Sequence, residues 1–139
     1  MSGAANVFAR ILPGRAPPFV AATPVQAHDG FFRRAYVSGE KQVEITVART
    51  GGEPGAYDKW VAASQSYPQV ALPLPDGEAN GFFTCASDRN DAACDMHLQL
   101  RQGFHVEVMG NGRVPRADLE AMLAHLSLAE LAAPGFAGP

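Results

Sequence analysis

The most constraining feature of the chain is a pair of neighbouring segments in which every second residue is apolar. The first segment covers residues 95–100 and the second covers residues 104–109. Alternation with a period of two predicts β-strands that are buried on one face and polar on the other. Because only three residues separate the segments, they predict an antiparallel hairpin over residues 95–109.

The register of this hairpin follows from keeping its apolar residues on one face. A two-residue turn would pair Leu100 with His105, whereas a three-residue loop pairs Leu100 with Phe104. We therefore predict the three-residue loop at 101–103, with Gly103 in the left-handed conformation that such a loop needs. The choice of loop also decides which polar side chains share the opposite face.

On that polar face the predicted register places His97 opposite Glu107, with His105 diagonally beside His97. These three side chains could converge on one metal ion with water as the fourth ligand. The simpler interpretation is a solvated sheet face with a stabilising His97–Glu107 pair, because nothing else nearby in sequence completes a site. The polar face of the hairpin is therefore either a candidate metal site or a solvated surface with one stabilising pair.

The chain contains two cysteines, Cys85 and Cys94. If the preceding strand is aligned so that they lie opposite each other, both cysteines share the apolar face, where a disulfide can form. Their spacing matches neither a redox centre nor a zinc motif. The sequence favours a structural disulfide, with free buried thiols and a metal or redox role as alternatives.

Other segments predict a second hairpin and three helices. Alternating residues predict the hairpin over 31–49, and its undetermined register leaves either Arg33 or Arg34 facing inward. Helical spacing predicts a short N-terminal helix, a helix whose apolar stripe includes Trp60, and a helix that begins near Pro115. By this pattern the single tryptophan belongs to the core.

These elements predict an α+β fold in a single domain. Residues 31–132 form the domain, an antiparallel sheet of about four to six strands packed by two or three helices. Residues 1–30 form a short helix followed by a proline-rich arm, and residues 133–139 form a flexible tail. A chain of 139 residues is long enough to bury a core of its own.

Composition excludes several classes of partner. The 14 acidic and 11 basic residues give a net charge of −3 and are spread along the chain. The chain lacks the dense basic face that a phosphate backbone requires, so we expect no nucleic-acid partner. No apolar run approaches the length of about 20 residues that a membrane-spanning helix needs.

No catalytic signature is recognisable in the sequence. There is no G-x-S-x-G elbow and no complete glycine-rich phosphate loop. We therefore expect no enzyme activity and no cofactor. The expected function is a binding or accessory domain that contacts a protein partner in the bacterial cell envelope through the sheet face around Phe82 or through the proline-rich arm.

Two alternatives to this function stay open. One is a small metal-binding or ligand-binding protein that uses His97, His105 and Glu107, and the other is an inhibitor or immunity-type protein. The cysteine pair favours the periplasm or the extracellular space, which requires that a leader was removed. The missing leader favours the cytoplasm. The stretch before Val25–Ala27 lacks the apolar core of a signal peptide. The oligomeric state is undetermined.

Overall fold

A computed structural model describes residues 3–50, 53–134, 136 and 138. Within these residues the chain forms four helices and a single antiparallel sheet of eight strands. In chain order the elements are Gly3–Ile11 (α1), Arg15–Ala16 (β1), Phe19–Ala21 (β2), Gln26–His28 (β3), Phe31–Ser38 (β4), Lys41–Arg49 (β5), Ala56–Ser64 (α2), Ala79–Cys85 (β6), Cys94–Leu100 (β7), Phe104–Gly110 (β8), Arg116–Leu123 (α3) and Leu128–Ala132 (α4).

The order of strands across the sheet is β1-β2-β4-β5-β8-β7-β6, and β3 also pairs with β4. The predicted number of four to six strands is therefore wrong. The additional strands come from the proline-rich arm, where β1, β2 and β3 contain only two or three residues each. Strands this short show no recognisable alternation in the sequence, which is why pattern analysis overlooked them.

The predicted registers of β6, β7 and β8 are confirmed. Leu100 pairs with Phe104 and His97 with Glu107, and Cys85 lies opposite Cys94. Gly103 has a φ of 96°, as a three-residue loop of this kind requires.

The hairpin of β4 and β5 has the register that the sequence left open. Ser38 pairs with Lys41 across a two-residue turn. Of the two adjacent arginines, Arg34 lies on the buried face, where its guanidinium donates to the carbonyl oxygens of Leu12 and Thr23. These two bonds give the Arg34 guanidinium partners on the N-terminal segment. The proline-rich arm is therefore attached to the sheet through Arg34 as well as through its own short strands.

The two faces of the sheet are covered differently. Helices α1, α3 and α4 contribute buried apolar side chains to the core on the first face, together with the alternating apolar residues of the central strands. Helix α2 lies on the second face, where the Trp60 ring contacts Phe82 and His105. Trp60 is half-buried there and lies outside the core cluster. Part of the second face is therefore free to carry polar and functional groups.

Three residues of the predicted flexible tail, 135, 137 and 139, lie outside the described residues. Within the described part of the tail, the Phe136 ring packs edge-on against Phe8 and Phe104. No helix among the described residues is long and apolar enough to cross a membrane.

Tyr36 predicts how the stability of the fold depends on alkaline pH. Its ring is fully buried on the first face and its hydroxyl donates to the Pro13 carbonyl at 2.7 Å. Burial raises its pKa from 10.0 to about 12, although the nearby Arg34 lowers it. The unfolded chain therefore loses this proton first as the pH rises, and the free energy of unfolding should fall between pH 10 and pH 12.

We expect this loss to reach about 1 kcal/mol at pH 11 for the wild-type chain. The variant Tyr36→Phe should be less stable at pH 8 by about 1 kcal/mol, because it lacks the hydrogen bond, and should depend less on alkaline pH. Urea unfolding followed by circular dichroism at pH 8, 10 and 11 measures both effects. If the free energy of unfolding falls equally between pH 8 and pH 11 in both proteins, Tyr36 does not cause the pH dependence.

Candidate metal centre

Strands β7 and β8 bring three possible metal ligands together on the second face. His97 lies opposite Glu107, and His105 is two residues before Glu107 on the same face of β8. One ligand atom from each of the three residues lies within 4.8 Å of the other two. The three side chains suggested by the sequence therefore form one group in space.

The group is close to the geometry of a metal site. Zinc bonds to nitrogen and oxygen of about 2.0 to 2.2 Å place neighbouring ligand atoms about 3.4 Å apart in a tetrahedral site. The Nε2 atom of His105 lies 3.1 Å from Glu107 Oε1, with 18% of the histidine side chain and 46% of the glutamate side chain exposed. His105 and Glu107 are therefore already at ligand spacing, and side-chain rotation would have to bring the His97 ligand atom closer from a distance of up to 4.8 Å.

His97 is held on two sides. Its Nε2 atom lies 3.1 Å from the hydroxyl of Thr84, and its ring stacks on Phe82 with centroids 5.0 Å apart. Partial burial lowers the pKa of His97 below 6.5; Glu107 and Asp95 oppose this shift, and His105 adds to it. A lowered pKa keeps the imidazole neutral at neutral pH, which is the form that binds metal ions.

Aromatic side chains surround the two histidines. Trp60 meets the His105 ring edge-on at 5.0 Å, and Phe82 packs between Trp60, Tyr67 and His97. Phe82, which the sequence suggested as a partner-binding residue, is thus a half-buried member of this aromatic cluster. The cluster limits the side from which solvent and ligands can reach the histidines.

Helix α2 is attached to this face by a buried hydroxyl. Ser64 is 2% exposed, and its Oγ lies 2.9 Å from the Val61 carbonyl and 2.7 Å from Asn80 Oδ1. This contact fixes the helix against β6 and so places Trp60 over His105. Pattern analysis detected the helix but not the face it covers.

Sequence analysis also missed Thr84 as a contact of His97. The signal was available, because aligning Cys85 with Cys94 also places Phe82 opposite His97 and Thr84 opposite Asp95. A side chain two residues from the directly paired one is a diagonal neighbour on the same face.

The cysteine pair joins the last residue of β6 to the first residue of β7. The two Sγ atoms are at disulfide distance, 2.04 Å apart, and join Cys85 to Cys94 on the first face. Cys85 is exposed and Cys94 is buried. Both border a cavity of about 650 Å³ between β6, helix α3 and the loop at 87–90.

Comparison with known proteins gives no family for this chain. No protein-family model, curated protein sequence or solved structure matches it. The functional proposals below therefore depend on the geometry of the chain itself.

Proposed function

We propose that the protein binds one divalent transition-metal ion through His97, His105 and Glu107. The observation that carries this proposal is the convergence of their ligand atoms within 4.8 Å. Imidazole ligands suit zinc, copper and nickel, and a carboxylate neutralises part of the ion's charge. Two imidazoles, one carboxylate and a water molecule form a common zinc coordination, so Zn²⁺ is the reference ion for the proposal.

The proposed role is binding and not catalysis. All three ligands project from one sheet face, so they would occupy one side of the ion and leave the other side to water or an external ligand. Trp60, Phe82 and Thr84 contact the two histidines from other elements.

Direct titration of the untagged full chain with Zn²⁺ tests the proposal. Protein treated with a chelator and dialysed at pH 7.5 should bind one Zn²⁺ per chain by calorimetry. Ni²⁺ should quench the fluorescence of Trp60, the only tryptophan in the chain, since that ring lies 5.0 Å from His105. If equilibrium dialysis retains no Zn²⁺ with the protein, the proposed function is wrong.

Contact with a protein partner is the second candidate function. The supporting observation is the cavity of about 650 Å³ beside the end of β6, which is bordered by Tyr67, Arg116 and the cysteine pair. Tyr67 is 45% exposed at its rim. An apolar ring beside a groove at a sheet edge is a typical position for a partner contact.

Photo-crosslinking in the native host tests this second candidate. A crosslinking amino acid at Tyr67 should give one discrete adduct, and the same amino acid at Val20, which is 44% exposed on β2, should not. A single adduct with one protein would also be consistent with an inhibitor or immunity-type protein. Identical adduct patterns at both positions would contradict a partner site beside β6.

We further propose that the protein resides in an oxidising compartment, such as the periplasm or the extracellular space. The proximity of Cys85 and Cys94 supports this location. Protein from the native host, alkylated under denaturing conditions without reductant, should gain no mass, and prior reduction should allow two alkylations. Two alkylations without reduction would remove the argument for an oxidising compartment.

A further inference from the structure

Thr84 contacts one of the proposed metal ligands although it does not belong to the ligand group. Its Oγ1 lies 3.1 Å from His97 Nε2. The register of β6 and β7, which pairs Thr84 with Asp95, leaves the hydroxyl diagonally beside the imidazole. With Thr84 on Nε2, the nitrogen of His97 that would bind the metal is Nδ1. A partner on the other ring nitrogen fixes the tautomer and orientation of a ligating histidine and commonly changes metal affinity.

The end of β6 that carries Thr84 has little support on its outer side. Residues 68–70 cover the outer edge of β6 as far as Phe83, whose N–H donates to the Pro68 carbonyl at 2.8 Å. The ladder ends there, because proline has no N–H to donate to the Phe83 carbonyl. Among the described residues, no backbone hydrogen bond reaches the outer edge of β6 beyond Phe83.

The disulfide is the covalent connection at this end of the strand pair. Cys85 follows Thr84 directly, and its side chain crosses to Cys94 on the first face while Thr84 points to the second face. Cys85 is exposed and borders an open cavity, so a small thiol compound can approach its sulfur. An accessible redox group, the disulfide, is thus adjacent in sequence to Thr84, the residue that contacts His97.

We propose that Thr84 positions His97 for metal binding, and that the Cys85–Cys94 disulfide keeps Thr84 in place, so that reduction weakens metal binding. The inference rests on the metal-binding function proposed above. Beyond Phe83, β6 is paired within the described residues only with β7, up to the bond from the Ala86 N–H to the Ala93 carbonyl at 2.9 Å. Strand ends paired on one side open locally more easily than central strands. Once the disulfide is broken, the end of β6 opens more often and the His97 imidazole loses its orienting hydroxyl.

The reductant is a small dithiol. One of its thiolates attacks Cys85 Sγ, the Cys85–Cys94 bond breaks, and Cys94 leaves as a thiolate that takes up a proton. The second thiolate of the reductant attacks the mixed disulfide and releases Cys85, which is protonated in turn. The reductant becomes a disulfide, and the protein gains two electrons and two protons.

Zn²⁺ titrations of four untagged full-length proteins test the inference: wild type, Thr84→Val, Thr84→Ser and the double variant Cys85→Ser/Cys94→Ser. The double variant replaces chemically reduced protein, because free thiols bind zinc themselves. We expect Thr84→Val to lower zinc affinity about tenfold and the double variant to lower it roughly three- to tenfold. Thr84→Ser keeps the hydroxyl and should bind zinc almost as tightly as wild type.

Combining the substitutions separates positioning from general destabilisation. If the disulfide acts through Thr84, adding Thr84→Val to the double cysteine variant should give a smaller loss than the product of the separate losses. Unchanged zinc affinity in the double variant, or equally weak binding by Thr84→Ser and Thr84→Val, would overturn the inference while leaving the metal site intact. Failure of the wild type to bind Zn²⁺ would instead overturn the metal-binding function, and this inference with it.

Discussion

Zinc affinity is expected to fall by roughly 100-fold when His105 is replaced by alanine. Binding free energies of about 10 to 16 kcal/mol for structural zinc sites with four ligands suggest about 3 kcal/mol for each ligand. The substitution leaves His97 and Glu107, which are too few protein ligands to hold the ion well. Calorimetric titration of the untagged variant at pH 7.5 measures the loss, and circular dichroism checks that it remains folded.

The matched control for this experiment is His28→Ala. His28 lies on β3, where its ring stacks on Phe31, and it is not part of the group of three ligands. Its replacement should leave zinc affinity and stoichiometry unchanged. Equal losses in the two variants would mean that zinc binds to histidines in general, and the assignment of the site to β7 and β8 would fail.

The largest effect on stability is expected for Phe32→Ala, with a loss of about 3 to 5 kcal/mol in the free energy of unfolding. Phe32 is fully buried on the first face, and its ring stacks on Phe8 of α1 at a centroid distance of 4.2 Å. Its removal opens a cavity between the sheet and the N-terminal helix. Urea unfolding followed by Trp60 fluorescence measures the loss.

Phe31→Ala is the control, since Phe31 is adjacent in sequence but lies on the second face and is only half-buried. Its replacement should cost about 1 kcal/mol or less. If Phe32→Ala does not fold, Phe32→Leu should still give a measurable loss of about 1 to 1.5 kcal/mol. Similar losses for Phe31→Ala and Phe32→Ala would contradict the two-faced packing of β4.

The pairing of β7 with β8 could be predicted in detail because the alternation of apolar and polar side chains identifies the buried face of each strand. Alternating apolar residues along β7 and β8 leave one register that keeps Leu100 opposite Phe104, and this register also brings His97 and Glu107 together. The pairing of β6 with β7 followed instead from aligning Cys85 with Cys94, and the structure has this alignment. The arrangement of the three candidate ligands could therefore be predicted from the pattern of one hairpin.

The remaining features depend on tertiary structure. The spacing of α2 predicts a helix, but the first face of the sheet is already filled by three other helices, so Trp60 packs on the second face. Strands β2 and β3 form because the longer β4 offers a template for pairing, and β1 pairs in turn with β2. Neither fact has a local signal, because both depend on segments that are distant in the chain.

The three proposed ligands lie within residues 97–107, in two strands joined by a three-residue loop. Contacts this local in sequence cost little loop-closure entropy and can form early during folding. A metal ion present during synthesis would therefore favour this hairpin before the N-terminal strands and the C-terminal helices have docked. In that case the ion would guide the folding of the chain and also be bound by the finished protein.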